Sequence, residues 1–547
     1  MIPQFTVTDF FLAVVTTLLG AALSYALVQG IPLIGIDDAA ITRSYAENVA
    51  NGHGYVYNVG GERVEGSTAL LWVGLLTIIY SAFPDPELPI LALSAGITVF
   101  SIYLSLRMVR WFSYWLQCDV KVAVGALVVF LIASPGYFLW SVWTMMELAI
   151  WSMLLLWLTL MLVKLVEVEA GILTRIGIVL AALILPTVRP EGIAVALGLI
   201  ILAGVLRVTA WRTCLASGAA AIAVFLAITT FRLSYFGWPV PNTFYAKVSS
   251  DTIQGIKDGL KYLLDFLQNS PMADLFLVVW AALVLFAILR LRQDMPGTRA
   301  LLIAGATIFG ILAVYAGLGG DHFALWRFYQ PIAPLFPVAA ALAVALGVTS
   351  VSEWQRGYGT SLSLSALAAA MVLSGLGWMH YYQARFDVQK EFTLVERGLG
   401  FGNYLNRAEP LPTIGIGPAG GIALAYEGEI LDLLGLNWVE MAHANPVKVG
   451  LRNHASFDRP TFWKHKPDML AAFNRRCGDG DGLQFWSTDD AAFDGLFTDE
   501  QFRETYQPVV FREGEDCWPA FALPDWLDTA KVEGMRVLEW DEVTILK

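Results

Sequence analysis

Along the first 380 residues, apolar stretches of up to about twenty residues alternate with short polar or charged breaks. That is the length at which a helix crosses the hydrocarbon core of a bilayer, where every backbone hydrogen bond must close within the segment. The stretches cover about 10–28, 89–108, 122–139, 148–166, 176–185, 194–206, 215–233, 275–289, 301–318, 331–348 and 362–379. They predict a polytopic α-helical membrane protein with about eleven transmembrane helices. The first has no Lys or Arg before it and exceeds an ordinary signal core, so it reads as an uncleaved anchor.

A twelfth apolar stretch, 69–83, is only about fifteen residues long, short for a span and suited to a re-entrant or interfacial helix. If it crossed, the basic loops at Arg107, Arg110 and Lys121, at Arg207 and Arg212, and at Arg290, Arg292 and Arg299 would all face outward. Positive charge prefers the cytoplasmic side. The stretch is therefore assigned to a first outer loop, residues 30–88. This predicts a multi-pass protein of the bacterial cytoplasmic (inner) membrane, with the N-terminus cytoplasmic and the tail extracytoplasmic.

Composition sharpens this picture. The chain has 547 residues, 56% of them hydrophobic, and a mean hydropathy of +0.59. Of its 47 acids and 35 Lys and Arg, 27 acids and 16 bases fall in residues 381–547. The net charge of −12 thus belongs mainly to the tail, which excludes a nucleic-acid-binding surface. Two domains follow: a transmembrane domain over 1–380 and an outer α/β domain over 381–547. In the latter, 412–436 has a mixed strand and helix pattern, 467–476 reads as helical and 536–546 as a strand. Cys477 and Cys517 both lie there, and oxidising surroundings favour their pairing as a disulfide.

The chosen topology gathers polar groups from several loops on one face. Asp37 and Asp38 stand just past the first span, ahead of a turn-rich loop with His53, Glu62, Arg63 and Glu65. Glu147, Arg189 with Glu191, the Pro241–Lys247 stretch with Asn242, Tyr245 and Lys247, and Asp321, His322 and Arg327 join them. Charges at membrane depth face a bundle interior or a cavity, so one outer pocket is expected. Structural roles compete at each position. One Asp could cap the helix entering at Ala39, Arg189 could pair with Glu191, Lys247 could snorkel to headgroups, and His53 could serve its own turn. Asp321 and His322 offer carboxylate and imidazole to a divalent ion together with Asp37 or Asp38, although no close ligand spacing accompanies them. No cofactor is required. Gly415-Ile416-Gly417-Pro418-Ala419-Gly420 matches the dinucleotide fingerprint, but the lone motif, with Pro418 in its loop and outside the cytoplasm, is read as a decoy.

Taken in order, Asp37-Asp38, Gly52-His53-Gly54, Gly61-Glu62-Arg63-Val64-Glu65-Gly66, Glu147, Arg189-Pro190-Glu191-Gly192, Pro241-Asn242-Thr243-Phe244-Tyr245-Ala246-Lys247, Gly320-Asp321-His322 and Ile430–Leu436 resemble the GT-C superfamily of membrane glycosyltransferases. They are similar in particular to the branch holding the mycobacterial terminal arabinofuranosyltransferases and a flagellar-motor-associated relative. The resemblance implies a polyprenyl-phosphate sugar donor, arabinofuranose favoured, and transfer with inversion to a cell-envelope glycan or surface-protein acceptor. It makes Asp37 or Asp38 the general base, Asp37 marginally favoured, and His53, Glu65, Glu147, Arg189, Glu191, Asn242, Tyr245, Lys247, Asp321, His322 and Arg327 substrate-binding residues. Around Glu147, Met145, Met146 and Leu148 depart from the branch's Gly-Leu-Glu-Thr-like turn. A non-catalytic assembly or motility factor and a lipid-linked sugar transporter are the alternatives. A transporter should carry its charges at mid-membrane depth, whereas these lie at segment ends.

Overall fold

The computed structural model describes residues 6–166, 171–208, 211–248, 251–293, 296–354, 359–444, 456–471, 476–478 and 482–547. Every one of the eleven apolar stretches carries a helix. Among the described residues, however, five are long and apolar enough to cross a membrane alone: Val7–Val28, Glu87–Leu116, Trp211–Tyr235, Ala273–Gln293 and Gly297–Gly317. A sixth span requires joining Val120–Ile132 to Pro135–Trp143, two pieces bent by 67°. The break in what reads as one span over 122–139 falls at Ser134-Pro135. Proline has no N–H to donate and forces the preceding residue out of the helical region.

Other expected spans are shorter than the bilayer core. Gly192–Val205 has 14 residues, about 21 Å of helix, against a core of about 30 Å. Leu148–Lys164 and Ile172–Val188 have 17 each, and the second ends two residues beyond Pro186, where Arg189 turns extended. The 331–348 stretch becomes helical only at Val338, after a 3₁₀ turn over Arg327–Ile332. Leu70–Ala82 is a 13-residue helix, about 20 Å long.

Beyond the Gly359–Gln383 helix, the Arg385–Leu405 helix leads into a β-rich domain. Its strands are β1 (Ile414–Ile416), β2 (Ile430–Asp432), β3 (Met469–Ala471), β4 (Arg476–Cys477), β5 (Leu483–Trp486), β6 (Gln507–Glu513), β7 (Asp516–Ala522), β8 (Met535–Val537) and β9 (Val543–Leu546). Six form a mixed sheet in the order β2-β1-β3-β7-β6-β8, parallel at the β2-β1-β3 end and antiparallel beyond. β4, β5 and β9 form a small second sheet, and the Cys477–Cys517 disulfide ties it to β7 of the first. The helix expected over 467–476 is instead strand at β3 and β4, with 472–475 outside the described residues. Here, pairing with β1 and β7 overrides the local pattern. Aromatic side chains fill the core between the sheets, among them Phe485, Phe497, Phe502 and Phe521.

Candidate active site

The Asp37–Ala50 helix sets the site, and its own side chains fix its position. Arg43, almost fully buried, donates from Nη1 to the Ile34 carbonyl (2.7 Å) and from Nε to the Tyr80 hydroxyl (2.9 Å), and pairs with Glu87. One residue thereby ties the helix to the two elements that follow it. Tyr45 donates to the Val64 carbonyl (2.9 Å), and Thr42 meets Ser67 at 2.9 Å, folding the first loop back over the helix.

Asp37 and Asp38, adjacent in sequence at the first turn, have different surroundings. Asp37 turns to the β-rich domain, where its carboxylate accepts the backbone N–H of Gly420 (3.0 Å to each oxygen) and of Gly421 (2.9 Å). These two glycines open a short turn of helix after β1, at the end of the fingerprint-like motif. A Cβ on Gly420 would lie 1.9 Å from the Asp37 carbonyl oxygen, and one on Gly421 2.4 Å from that of Val395, so only glycine permits the approach. The motif cradles a carboxylate of its own chain. Burial pushes the Asp37 carboxyl up to about 7 against the two amides that lower it, with the negative charges of Asp38 and Asp432 adding to the rise.

Asp38 turns to the cations. Arg327 Nη1 stands 2.9 Å from its Oδ2, and Lys247 Nζ 3.9 Å from the same oxygen. Arg327 is held on its other edge by Asp321, Nε to Oδ2 at 2.6 Å, and its guanidinium lies 4.0 Å from the Phe323 ring centre. Burial alone would raise the Asp321 carboxyl; the Arg327 charge, the His322 hydrogen bond and the nearby charges of His322 and Lys247 together outweigh it and hold Asp321 well below the usual carboxylate range. Asp321 Oδ1 accepts the His322 N–H at 2.9 Å. Among the described residues, no group of three or more His, Cys, Asp or Glu gathers as metal ligands, and Asp321 is engaged with Arg327 instead.

Two cavities meet at Asp38, Ile41 and Leu436. The larger, about 700 Å³, runs among the membrane helices, and its polar walls carry Glu147, Arg189, Glu191, Arg232, Lys247 and Arg327 amid many apolar side chains. Arg189 pairs with both Glu147 and Glu191 at 2.6 Å, and Tyr315 donates to Glu191 at 2.8 Å. The smaller cavity, about 200 Å³, is lined from the other side by Asp37, His322, Lys390, Glu391, Thr488 and Asp489. Burial, reinforced by the charges of Asp38 and Asp37, pushes the Glu391 carboxyl up to about 8.

Among the sequence-predicted residues, Glu65 lies just behind the large cavity and grips Arg232 with both oxygens, Nε to Oε2 at 2.7 Å and Nη2 to Oε1 at 2.9 Å. Three others stand elsewhere. His53 lines a separate polar trough of about 760 Å³ with Asn51, Tyr57 and Glu427. Asn242 donates to the carbonyls of Gly435 (2.7 Å) and Leu436 (3.0 Å), and Tyr245 stacks on His443 with ring centres 3.9 Å apart. Both thereby join the membrane helices to the β-rich domain. Sequence reasoning passed over Arg232, Lys390, Glu391, Asp489 and the Gly420-Gly421 amides. Arg232 could have been found, because a lone arginine inside the 215–233 apolar stretch marks a pocket wall.

With the geometry in place, the overall shape has known counterparts. The crystal structure of ArnT from Cupriavidus metallidurans in the apo state superposes with a TM-score of 0.53 at 13% identity, covering 94% of this chain and 98% of that one. The two chains share a fold over nearly their whole lengths. ArnT bound to undecaprenyl phosphate gives a TM-score of 0.52 at 14% identity with the same coverage. The apo oligosaccharyltransferase of Archaeoglobus fulgidus gives 0.50 at 12% identity, covering 97% of this chain and 76% of that one. No family model and no curated protein sequence matches. The likeness is therefore one of fold, a region of apolar helices bearing a β-rich domain.

Proposed function

We propose that this protein is an inverting glycosyltransferase. It moves a sugar from a polyprenyl-phosphate donor to a cell-envelope glycan or surface-protein acceptor on the outer face of the cytoplasmic membrane. The observation that carries the reading is the place of Asp38, on the boundary between an apolar, cation-bearing cavity and a smaller polar one. A lipid phosphate needs the first combination: apolar walls for the prenyl chain and Arg189, Arg232, Lys247 and Arg327 for the charge. A glycan hydroxyl fits the second. ArnT, whose fold this chain shares, binds undecaprenyl phosphate, which supports a donor of that kind here. The sequence motifs favour arabinofuranose as the sugar.

In this mechanism the acceptor hydroxyl enters from the smaller cavity, and Asp38 takes its proton as the oxygen attacks the anomeric carbon. The bond from that carbon to the phosphate oxygen breaks on the opposite face, the electron pair leaves with the phosphate, and the single displacement inverts the centre. General-base catalysis of this kind contributes roughly 10²–10⁴ in rate. Arg327 and Lys247 hold Asp38 before the donor arrives. An incoming phosphate draws both cations toward itself, stabilises the leaving group and frees the carboxylate as a base. Asp37 is the positioning residue, fixing the first turn against the Gly420-Gly421 amides so that Asp38 faces the boundary.

The test is transfer from synthetic polyprenyl-phosphate sugars, arabinofuranose first, to envelope acceptors by the purified protein beside Asp38→Asn. Transfer lost in the variant with its fold intact supports the reading. Undiminished transfer by Asp38→Asn would remove Asp38 as the base, and no consumption across a panel of donors would overturn the enzyme.

A further inference from the structure

The Thr252–Asn269 helix presents three faces. Gly259, Tyr262 and Phe266 are buried against the protein. Gly259 packs on the end of the Pro296–Gly317 helix so closely that a Cβ would lie 1.8 Å from the Ala316 carbonyl oxygen. Tyr262 and Phe266 pack on Tyr329 with tilted rings whose centres are 5.0 and 4.8 Å away. On the opposite side Ile253, Ile256, Leu260 and Leu264 form a stripe at helical spacing, 69%, 43%, 49% and 55% exposed. Between the two faces, at the border of the apolar stripe, lie the exposed Lys257 and Lys261 one turn apart, with exposed Gln254 beyond them and Asp265 accepting the Trp326 Nε1–H at 2.7 Å.

We infer that this helix lies in the plane of the outer membrane leaflet, its Ile253–Leu264 stripe sunk among acyl chains and Lys257 and Lys261 held at anionic lipid headgroups. An apolar stripe flanked by lysines is the form of an interfacial helix, which binds by buried apolar area together with attraction to anionic lipid. The occupant is lipid because the stripe is continuous with an apolar belt. Three residues on, the Ala273–Gln293 helix is apolar and long enough to cross the membrane, and it exposes Leu275, Val278 and Leu285 in turn. The inner face rests on the 3₁₀ turn that carries Arg327, where the Phe328 N–H reaches the Tyr262 hydroxyl at 3.4 Å. Membrane contact and the Asp38 cation thus sit on opposite sides of one helix. The inference holds whatever reaction the site performs.

The test places a bimane label on Leu260→Cys, on Leu264→Cys, or on Gln254→Cys as the aqueous control. The full-length protein, with Cys118 and Cys214 replaced by Ser, is held in lipid nanodiscs. Brominated acyl chains are expected to quench the 260 and 264 labels roughly threefold more than the 254 label, with iodide showing the reverse order. Phosphatidylglycerol discs are expected to deepen that quenching relative to phosphatidylcholine, and Lys257→Gln with Lys261→Gln to abolish the difference. Equal iodide access at 254, 260 and 264 would overturn the inference, as would protection of the stripe from both quenchers, the signature of a second copy covering it. Two labels on exposed positions guard against one variant misfolding, and no donor or acceptor enters the measurement.

Discussion

Replacing Asp37 by Ala removes the acceptor of three hydrogen bonds between the first loop and the β-rich domain. Two backbone N–H groups, of Gly420 and Gly421, lose their partner, and an unsatisfied buried donor costs roughly 1–3 kcal/mol. The two orphaned donors cost roughly 2–6 kcal/mol, partly offset because a carboxyl that burial disfavours is removed, so the seam weakens by at least about 1.4 kcal/mol, a factor of about 10 or more in the local opening equilibrium. Amide hydrogen exchange reads this directly. In Asp37→Ala, residues 414–424 and the first turn of the Asp37–Ala50 helix should exchange at least tenfold faster, while the core of β6 and β7 stays unchanged. Asp38→Ala, whose carboxylate faces Arg327 and Lys247, should leave the 414–424 amides protected. If both variants lose transfer but Asp37→Ala exchanges like the wild type, Asp37 is not a positioning residue, and the assignment of Asp38 as the sole base fails with it.

Further expectations follow from other contacts. Arg232→Met leaves Glu65 buried without its partner, and thermal unfolding should register a loss of roughly 3–5 kcal/mol; adding Glu65→Gln should recover part of it. Glu391 is raised in the folded state to about 8 from an ordinary value of 4.5, so its contribution is fully present below about 4.5 and lost as pH rises through 8. Glu391→Gln should accordingly match wild-type stability near pH 4 and exceed it by roughly 2–4 kcal/mol near pH 9, a difference absent if the side chain is solvated. Replacing both Cys477 and Cys517 by Ser opens a loop of 40 residues and should cost the β-rich domain about 4 kcal/mol in denaturant titration, with little effect on the membrane helices.

Much of the site could be read from the chain because charge at the end of an apolar stretch is conspicuous. Asp38, Arg189 and Arg327 announce themselves in this way and Lys247 through its Pro241–Lys247 motif, and the structure gathers all four around one cavity. What stayed hidden did so for physical reasons. The Gly420 and Gly421 amides are backbone groups and carry no letter, and their glycines read as a nucleotide motif because close approach of a helix terminus to any anion calls for the same residue. Arg232 vanished inside an apolar stretch whose average hydropathy it barely lowers. The Ser134-Pro135 break was visible, yet a window the length of a span smooths over it. His53 and Tyr245 read as site residues from their motifs, but their placement depends on how the first loop and the 439–444 helix meet, a long-range fact.

The Asp37 clamp also has a consequence for biosynthesis. The carboxylate leaves the ribosome early, whereas the amides that hold it come 383 and 384 residues later. Throughout that interval the loop carrying Asp37 and Asp38 has no cradle to dock on. The membrane helices can be inserted and packed while the candidate site is still unassembled, so its completion waits on the arrival of the β-rich domain rather than on the spans. A chain stopped short of Gly420 would carry the apolar helices with Asp37 left unclamped.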